Sequence, residues 1–194
     1  MKRREEYGYV LDIIPPELAA YKLPARIRRE FPRDVSYAHV LGEDRFTLLE
    51  VTLKPGAKVE IGERIYIGLG QRDKADKIVR RIKFEDLQPP AREVLAQLVR
   101  RIVQSQEQKY VDWFNKAGPL TIKLHSLELL HGIGKKKVQE ILAERRKKPF
   151  ESYEDIKKRV GIDPVEVLAG RILAELEGKD PYYIFVAPPP SEPT

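Results

Sequence analysis

The chain has 194 residues, of which 42% are hydrophobic and 34% charged, with no cysteine. That length supports one large domain or two small ones, each with its own core, and the apolar content excludes a disordered chain. Lys and Arg number 36 against 30 Asp and Glu, a formal charge of +6; the lack of cysteine removes disulfides, thiolate zinc sites and cysteine nucleophiles together.

No apolar run reaches the roughly 18 residues of a spanning helix, and Met1-Lys2-Arg3-Arg4 leads into charged residues, not into the apolar core of an export signal. A cytoplasmic protein with no membrane role is expected. High charge with a single asparagine, Asn115, is the composition often met in thermophile proteins.

Tyr7–Ile14 reads as a strand ended by Pro15-Pro16. Residues 17–34 are ambiguous, because Pro24 and Pro32 break any long helix. They carry a basic cluster, Arg26, Arg28, Arg29 and Arg33. Short β signals follow at Ser36–Leu41, Arg45–Leu53, Lys58–Ile61, Arg64–Gly68 and Lys77–Phe84. About five strands in roughly 80 residues fit an OB-like small β-barrel, with an SH3-like or split barrel as alternatives. Tyr7, Tyr9, Tyr37, Phe46 and Tyr66 are its candidates for stacking on bases. Gly68-Leu69-Gly70 lacks the rest of a nucleotide loop, so it reads as a connection in which Arg72 and Lys74 could touch a phosphate.

Pro89-Pro90 opens a helix expected over 91–116, with Val94, Leu95, Leu98, Val99, Ile102 and Val103 on one face. Beyond Ala117-Gly118-Pro119 comes the most informative stretch, Leu127 to Ile141. It reads as a short helix, a turn on Gly132-Ile133-Gly134, and a second helix opening on Lys135, Lys136 and Lys137. The glycines free the backbone and leave it bare, and Ile133 is expected to turn inward. The first amides of a helix have no internal partner and lie at the positive end of its dipole. Together with the lysines they form an anion site. Charge concentrates here: residues 119–149 hold eight Lys or Arg and three Glu, a surplus of five. That points to a polyanionic partner.

This stretch resembles the helix-hairpin-helix motif, which holds a nucleic-acid phosphate through backbone amides and reads little sequence. The connector Pro149-Phe150-Glu151-Ser152-Tyr153-Glu154-Asp155-Ile156 is similar to the one that joins the halves of tandem domains of this kind. Ser152 with Asp155 has the form of a helix cap, as has Asp163 with Pro164 and Glu166. Val165, Leu168, Ile172, Leu173 and Leu176 keep a helical period. The second hairpin, Gly161-Ile162-Asp163-Pro164, departs from the motif: its aspartate repels phosphate and its proline lacks an amide proton. One strong site and one structural repeat are therefore expected.

The whole arrangement resembles an archaeal family of uncharacterised proteins, domains of unknown function described only as nucleic-acid-binding. The resemblance implies an α+β multidomain fold: an OB-like barrel (1–86), a connecting helix (87–118), an all-α tandem helix-hairpin-helix domain (119–178) and a strand-like segment with a flexible proline-rich tail (179–194). Gly132, Ile133, Gly134, Lys135, Lys136 and Lys137 are the expected nucleic-acid-binding residues. Lys123, Arg145, Arg146, Lys147, Arg72 and Lys74 are secondary candidates.

His39, His125 and His131 fall at no metal-ligand spacing and are expected at the surface or beside phosphate. No catalytic constellation, cofactor or metal site stands out. The expected function is non-enzymatic, largely sequence-independent binding of DNA or RNA. The alternatives are a binder of structured RNA, a protein-interaction or self-association module, and a DNA repair enzyme.

Overall fold

The computed structural model describes residues 4–190, so Met1–Arg3 and the last four residues of the tail lie outside the described residues. Contacts divide the chain into two compact units, Met1–Leu98 with Phe185–Thr194, and Val99–Ile184.

The first unit is built on one five-stranded antiparallel sheet. In chain order its strands are β1 (Tyr7–Ile14), β2 (Tyr37–Gly42), β3 (Leu48–Leu53), β4 (Arg64–Tyr66) and β5 (Ala75–Arg81). The spatial order is β4-β1-β2-β3-β5. Register shifts between Val10 and Asp12 and twice along the β3–β5 pair curl the sheet, as bulges do.

The curl stops half-way, and this corrects the expectation of an OB-like barrel. Closure would require β4 to pair with β5, and each is bonded only to its inner neighbour. Two features explain the gap. β4 has only three residues, too few for a second ladder. Lys58–Ile61, read as a strand, is turn and irregular backbone outside the sheet.

Both faces of the sheet are covered, which is why β2 is buried along its whole length. Val10, Ala38, Val40, Val51, Leu53, Ile65, Ile67 and Ala75 form one cluster. The ambiguous segment forms two short helices, α1 (Pro16–Lys22) and α2 (Ala25–Glu30). Through Ala19, Leu23 and Ile27 they pack against Ile14 and Tyr37. A polar row also crosses the sheet, where Asp12, His39, Glu50 and Arg80 stand opposite one another strand by strand, His39 and Glu50 buried and the two outer members half-buried. His39 Nε2 lies 2.8 Å from Glu50 Oε2, and Arg80 Nε donates to Glu50 Oε1 at 3.0 Å. Burial alone would raise the Glu50 carboxyl, but the bonds from His39 and Arg80 outweigh it and hold the group below its ordinary value. His39, expected at the surface, is thus an interior residue, 3% exposed.

The long helix is two helices, α3 (Pro89–Ser105) and α4 (Glu107–Lys116), broken at Gln106, whose backbone leaves the helical region at φ −112° and ψ 42°. The boundary between the two units falls inside α3.

The second unit continues with α5 (Lys135–Lys147), α6 (Tyr153–Val160) and α7 (Pro164–Leu176). The expected tandem helix-hairpin-helix domain is corrected here. The residues read as the first helix form only a four-residue 3-10 turn, Ser126–Leu129. A segment this short makes too few bonds to offset helix nucleation. Without that helix there is no first hairpin and no tandem. The helix starts after it follow the sequence: Ser152 Oγ accepts from Asp155 N at 3.0 Å, and Gly161 closes α6 at φ +70°.

Tyr182–Val186, read as strand-like, is bent backbone and joins no strand. Beyond it Ala187 N donates to Arg45 O at 2.9 Å, and Arg81 donates to Ala187 O and Pro188 O. The described part of the tail is therefore fastened to the first unit.

Candidate functional site

The turn before α5 is pinned from within. Leu127, Leu130 and Ile133 are buried, and Ile133 N donates to Leu130 O at 3.1 Å. Gly132 sits at φ +76°, where a side chain is strained although a Cβ would meet nothing within 4 Å. Gly134 is the N-cap in extended conformation, φ −93° and ψ −177°, with open space where a Cβ would stand. Neither space nor conformation inside the protein asks for glycine at 134. Its effect is to leave the adjoining amides uncovered.

Those amides are vacant. Val138 N donates to Gly134 O, the first bond of α5, and among the described residues no hydrogen bond uses the N–H of Gly134, Lys135, Lys136 or Lys137. Gly134, Lys135 and Lys136 are exposed. The first turn of α5 contains no acidic residue. Three lysines occupy it, the charge sign that the helix dipole disfavours at this end.

The lysines are not equivalent. Lys136 makes no hydrogen bond or ion pair among the described residues; its nearest recorded influence is a Coulombic one on Glu140. Lys135 Nζ donates to Lys123 O at 3.1 Å and lies 3.7 Å from Glu128 Oε1. Lys137 is turned away, bonded to Glu140 Oε2 at 2.7 Å and Val160 O at 2.9 Å. Ile133 is core. Of the secondary candidates, Lys123 is exposed with an unpaired ammonium group and belongs with Lys135.

The others lie elsewhere. Arg145 donates to Phe114 O and Ala117 O, closing the end of α4. Arg146 is exposed, and Lys147 pairs with Glu144 at 3.1 Å; both stand about 17 Å along α5 from its start. In the first unit Arg72 braces the loop after β4 through Gly68 O and Asp76 O, and Lys74 pairs with Glu63 at 2.9 Å.

The proposed stacking aromatics are used by the fold. Tyr9, Tyr37 and Phe46 are buried, Tyr7 packs edge-on against Tyr66 at 5.3 Å, and Arg64 covers the Tyr7 ring at 3.7 Å. Tyr66 Oη accepts from Gly70 N, and a Cβ at Gly68 would strike it at 2.5 Å. That glycine pair makes room for a tyrosine. Arg26 reaches Glu30 at 3.6 Å, whereas Arg28, Arg29 and Arg33 are unpaired and line a groove of about 740 Å³ beside α2.

His125 is half-buried and caps the 3-10 turn. Its Nδ1 accepts from Leu127 N at 3.1 Å, while Glu128 Oε2 accepts from His125 N at 2.7 Å. Burial, and then the Arg145 guanidinium, hold the imidazole below its ordinary value, with Glu128 opposing. His131 is exposed beside the turn.

Sequence reasoning missed the loop before the 3-10 turn. Pro119 and His125 form an antiparallel bridge, and the tip between them carries Thr121, Ile122 and Lys123. Thr121, whose hydroxyl accepts from the amides of Lys123 and Leu124, was the readable signal, just after Gly118-Pro119.

The family model described as "protein of unknown function (DUF655)" matches residues 4–187. The chain belongs to the DUF655 family. An uncharacterised DUF655-like relative, MJ0038 of Methanocaldococcus jannaschii, is 42% identical over 184 residues, covering 94% of this chain and 80% of the relative. The crystal structure of Af1531 from Archaeoglobus fulgidus is also 42% identical, with a TM-score of 0.80 over 94% of this chain and all of that one. The DUF655 fold described above is therefore shared with the Archaeoglobus fulgidus protein, and the family's description brings no ligand to the site. No helix among the described residues is long and apolar enough to cross a membrane, and none of their His, Asp and Glu side chains gather in a group that could hold a metal ion.

Proposed function

We propose that this DUF655 protein binds nucleic acid through its phosphodiester backbone, largely without regard to sequence and without catalysing a reaction. One observation carries the reading: the start of α5 combines uncovered amides, unused among the described residues, with three lysines of the charge sign that the helix dipole disfavours at that end, of which Lys136 has no partner among those residues. A non-bridging phosphate oxygen accepts from the amides of Gly134 to Lys136, and the ammonium groups of Lys123, Lys135 and Lys136 neutralise that phosphate and its neighbours along the strand, one each. Backbone amides meet every phosphate alike, so the site positions a strand and does not read its bases.

The test is equilibrium binding of labelled oligonucleotides of several unrelated sequences across a salt series. The double variant Lys135→Glu/Lys136→Glu should weaken binding to every sequence by a similar factor and flatten the salt dependence. Unaltered affinity, or a loss confined to one sequence, would remove the start of α5 from the site.

A further inference from the structure

The loop from Pro119 to His125 displays the most exposed large apolar residue among the described residues. Ile122 is 106% exposed, and Leu120, in the same loop, is 40% exposed. The tip is not loose. Thr121 Oγ1 accepts from Lys123 N at 3.2 Å and Leu124 N at 3.0 Å. Leu124 O accepts from Leu120 N and Thr121 N at 2.8 and 3.1 Å, and Ser126 N and Oγ both donate to Gly118 O. Lys135, the first residue of α5, donates to the carbonyl of Lys123. Ile122 and Lys135 line the same small concavity. An isoleucine is thus held out rigidly beside the vacant amides and flanked by lysines.

We propose that Ile122 is a wedge that enters the minor groove of duplex DNA and partly unstacks a base step while α5 holds the adjacent phosphate. This rests on the phosphate site proposed above. Three features choose the ligand. The surrounding positive charge complements a polyanion. Isoleucine has no ring and makes a poor stacking platform for single strands, whereas aliphatic side chains serve as wedges between base steps. The minor groove of an RNA duplex is lined with 2′-hydroxyls, and an isoleucine would bury them without partners. Bracing of the loop means that little ordering is lost on insertion.

The experiment uses the full chain and a short DNA duplex carrying 2-aminopurine at a central TA step, with a donor and an acceptor dye at its ends. The wild-type protein should raise 2-aminopurine fluorescence and bring the ends together; a duplex RNA of matched sequence should show neither change. Ile122→Ala, at a position that packs on nothing, should bind the DNA about tenfold more weakly, lose both signals and keep the wild-type salt slope. Lys136→Glu, run in parallel, should weaken binding to both duplexes and retain the signals in the bound fraction. Retention of both signals by Ile122→Ala, or equal unstacking of RNA, overturns the wedge. So does an Ile122→Ala variant that changes only the oligomeric size measured by light scattering. A Lys136→Glu protein that binds as wild type would instead overturn the phosphate site.

Discussion

Lys136→Glu separates what the start of α5 does for binding from what it does for stability. Lys136 is exposed and unpaired at the second position of the helix. A charge near a helix end is worth about 0.3–1 kcal/mol, so reversing its sign should return roughly 0.6–2 kcal/mol to the fold. The solvent-screened attraction to Glu140 is lost and offsets part of this. No net loss of stability is expected. Binding should behave in the opposite way. With Lys123, Lys135 and Lys136 each neutralising one phosphate, log K should fall against log salt with a slope of about 2.7, and the variant's slope should be about 1.8. A fourfold rise in salt would then cost the wild type about 40-fold in affinity and the variant about 12-fold. Fluorescence anisotropy across a salt series gives both slopes, and a thermal melt gives the stability. An unchanged slope, or a variant that melts several degrees lower, would refute the argument that Lys136 serves a ligand and not the fold.

Two further outcomes follow from the same region. Gly132→Ala meets no clash and pays only for φ +76°, so the unfolding free energy from denaturant titration should fall by about 1–2 kcal/mol, and by less for Gly132→Asn; equal losses would show that the conformation is not the cause. The His125 imidazole is held below its ordinary value by burial and by Arg145, so the unfolded chain takes up the proton first. Its contribution is complete above about pH 6.5 and is lost as pH falls through that value toward the folded one. Melts of the wild type should therefore lose stability across that window relative to His125→Asn, and parallel curves would refute the assignment.

What the sequence disclosed was mostly local. Tyr7–Ile14 is strand β1 with the expected bounds, because a run rich in Tyr, Val and Ile meets two prolines. Pro89, Ser152 and Asp163 mark the starts of α3, α6 and α7, since each offers a specific backbone or side-chain solution at a helix start. Closure of a sheet is a long-range property: whether β4 reaches β5 depends on strand length and curl, which short apolar runs do not encode. Leu127–Leu130 looked helical by composition, but four residues cannot show how few bonds they will make. His39 gave no sign of its buried place, because only the register of β1, β2, β3 and β5 puts it in line with Asp12, Glu50 and Arg80. At the site, the glycines and lysines were legible. That Lys137 turns back to Val160 while Lys123 joins Lys135 was not, since both depend on the folded path of other segments.

A sheet that stops short of closing leaves two rims able to recruit a foreign strand, a hazard for aggregation. Each rim is blunted in its own way. β4 offers three residues, with Arg64 locked to Glu43, so an intruding chain finds almost no template. β5 is longer and bears Asp76, Lys77, Arg80 and Arg81, and its offset register twists it away from a flat docking geometry. Charge and brevity thus guard the seam that hydrogen bonds leave open.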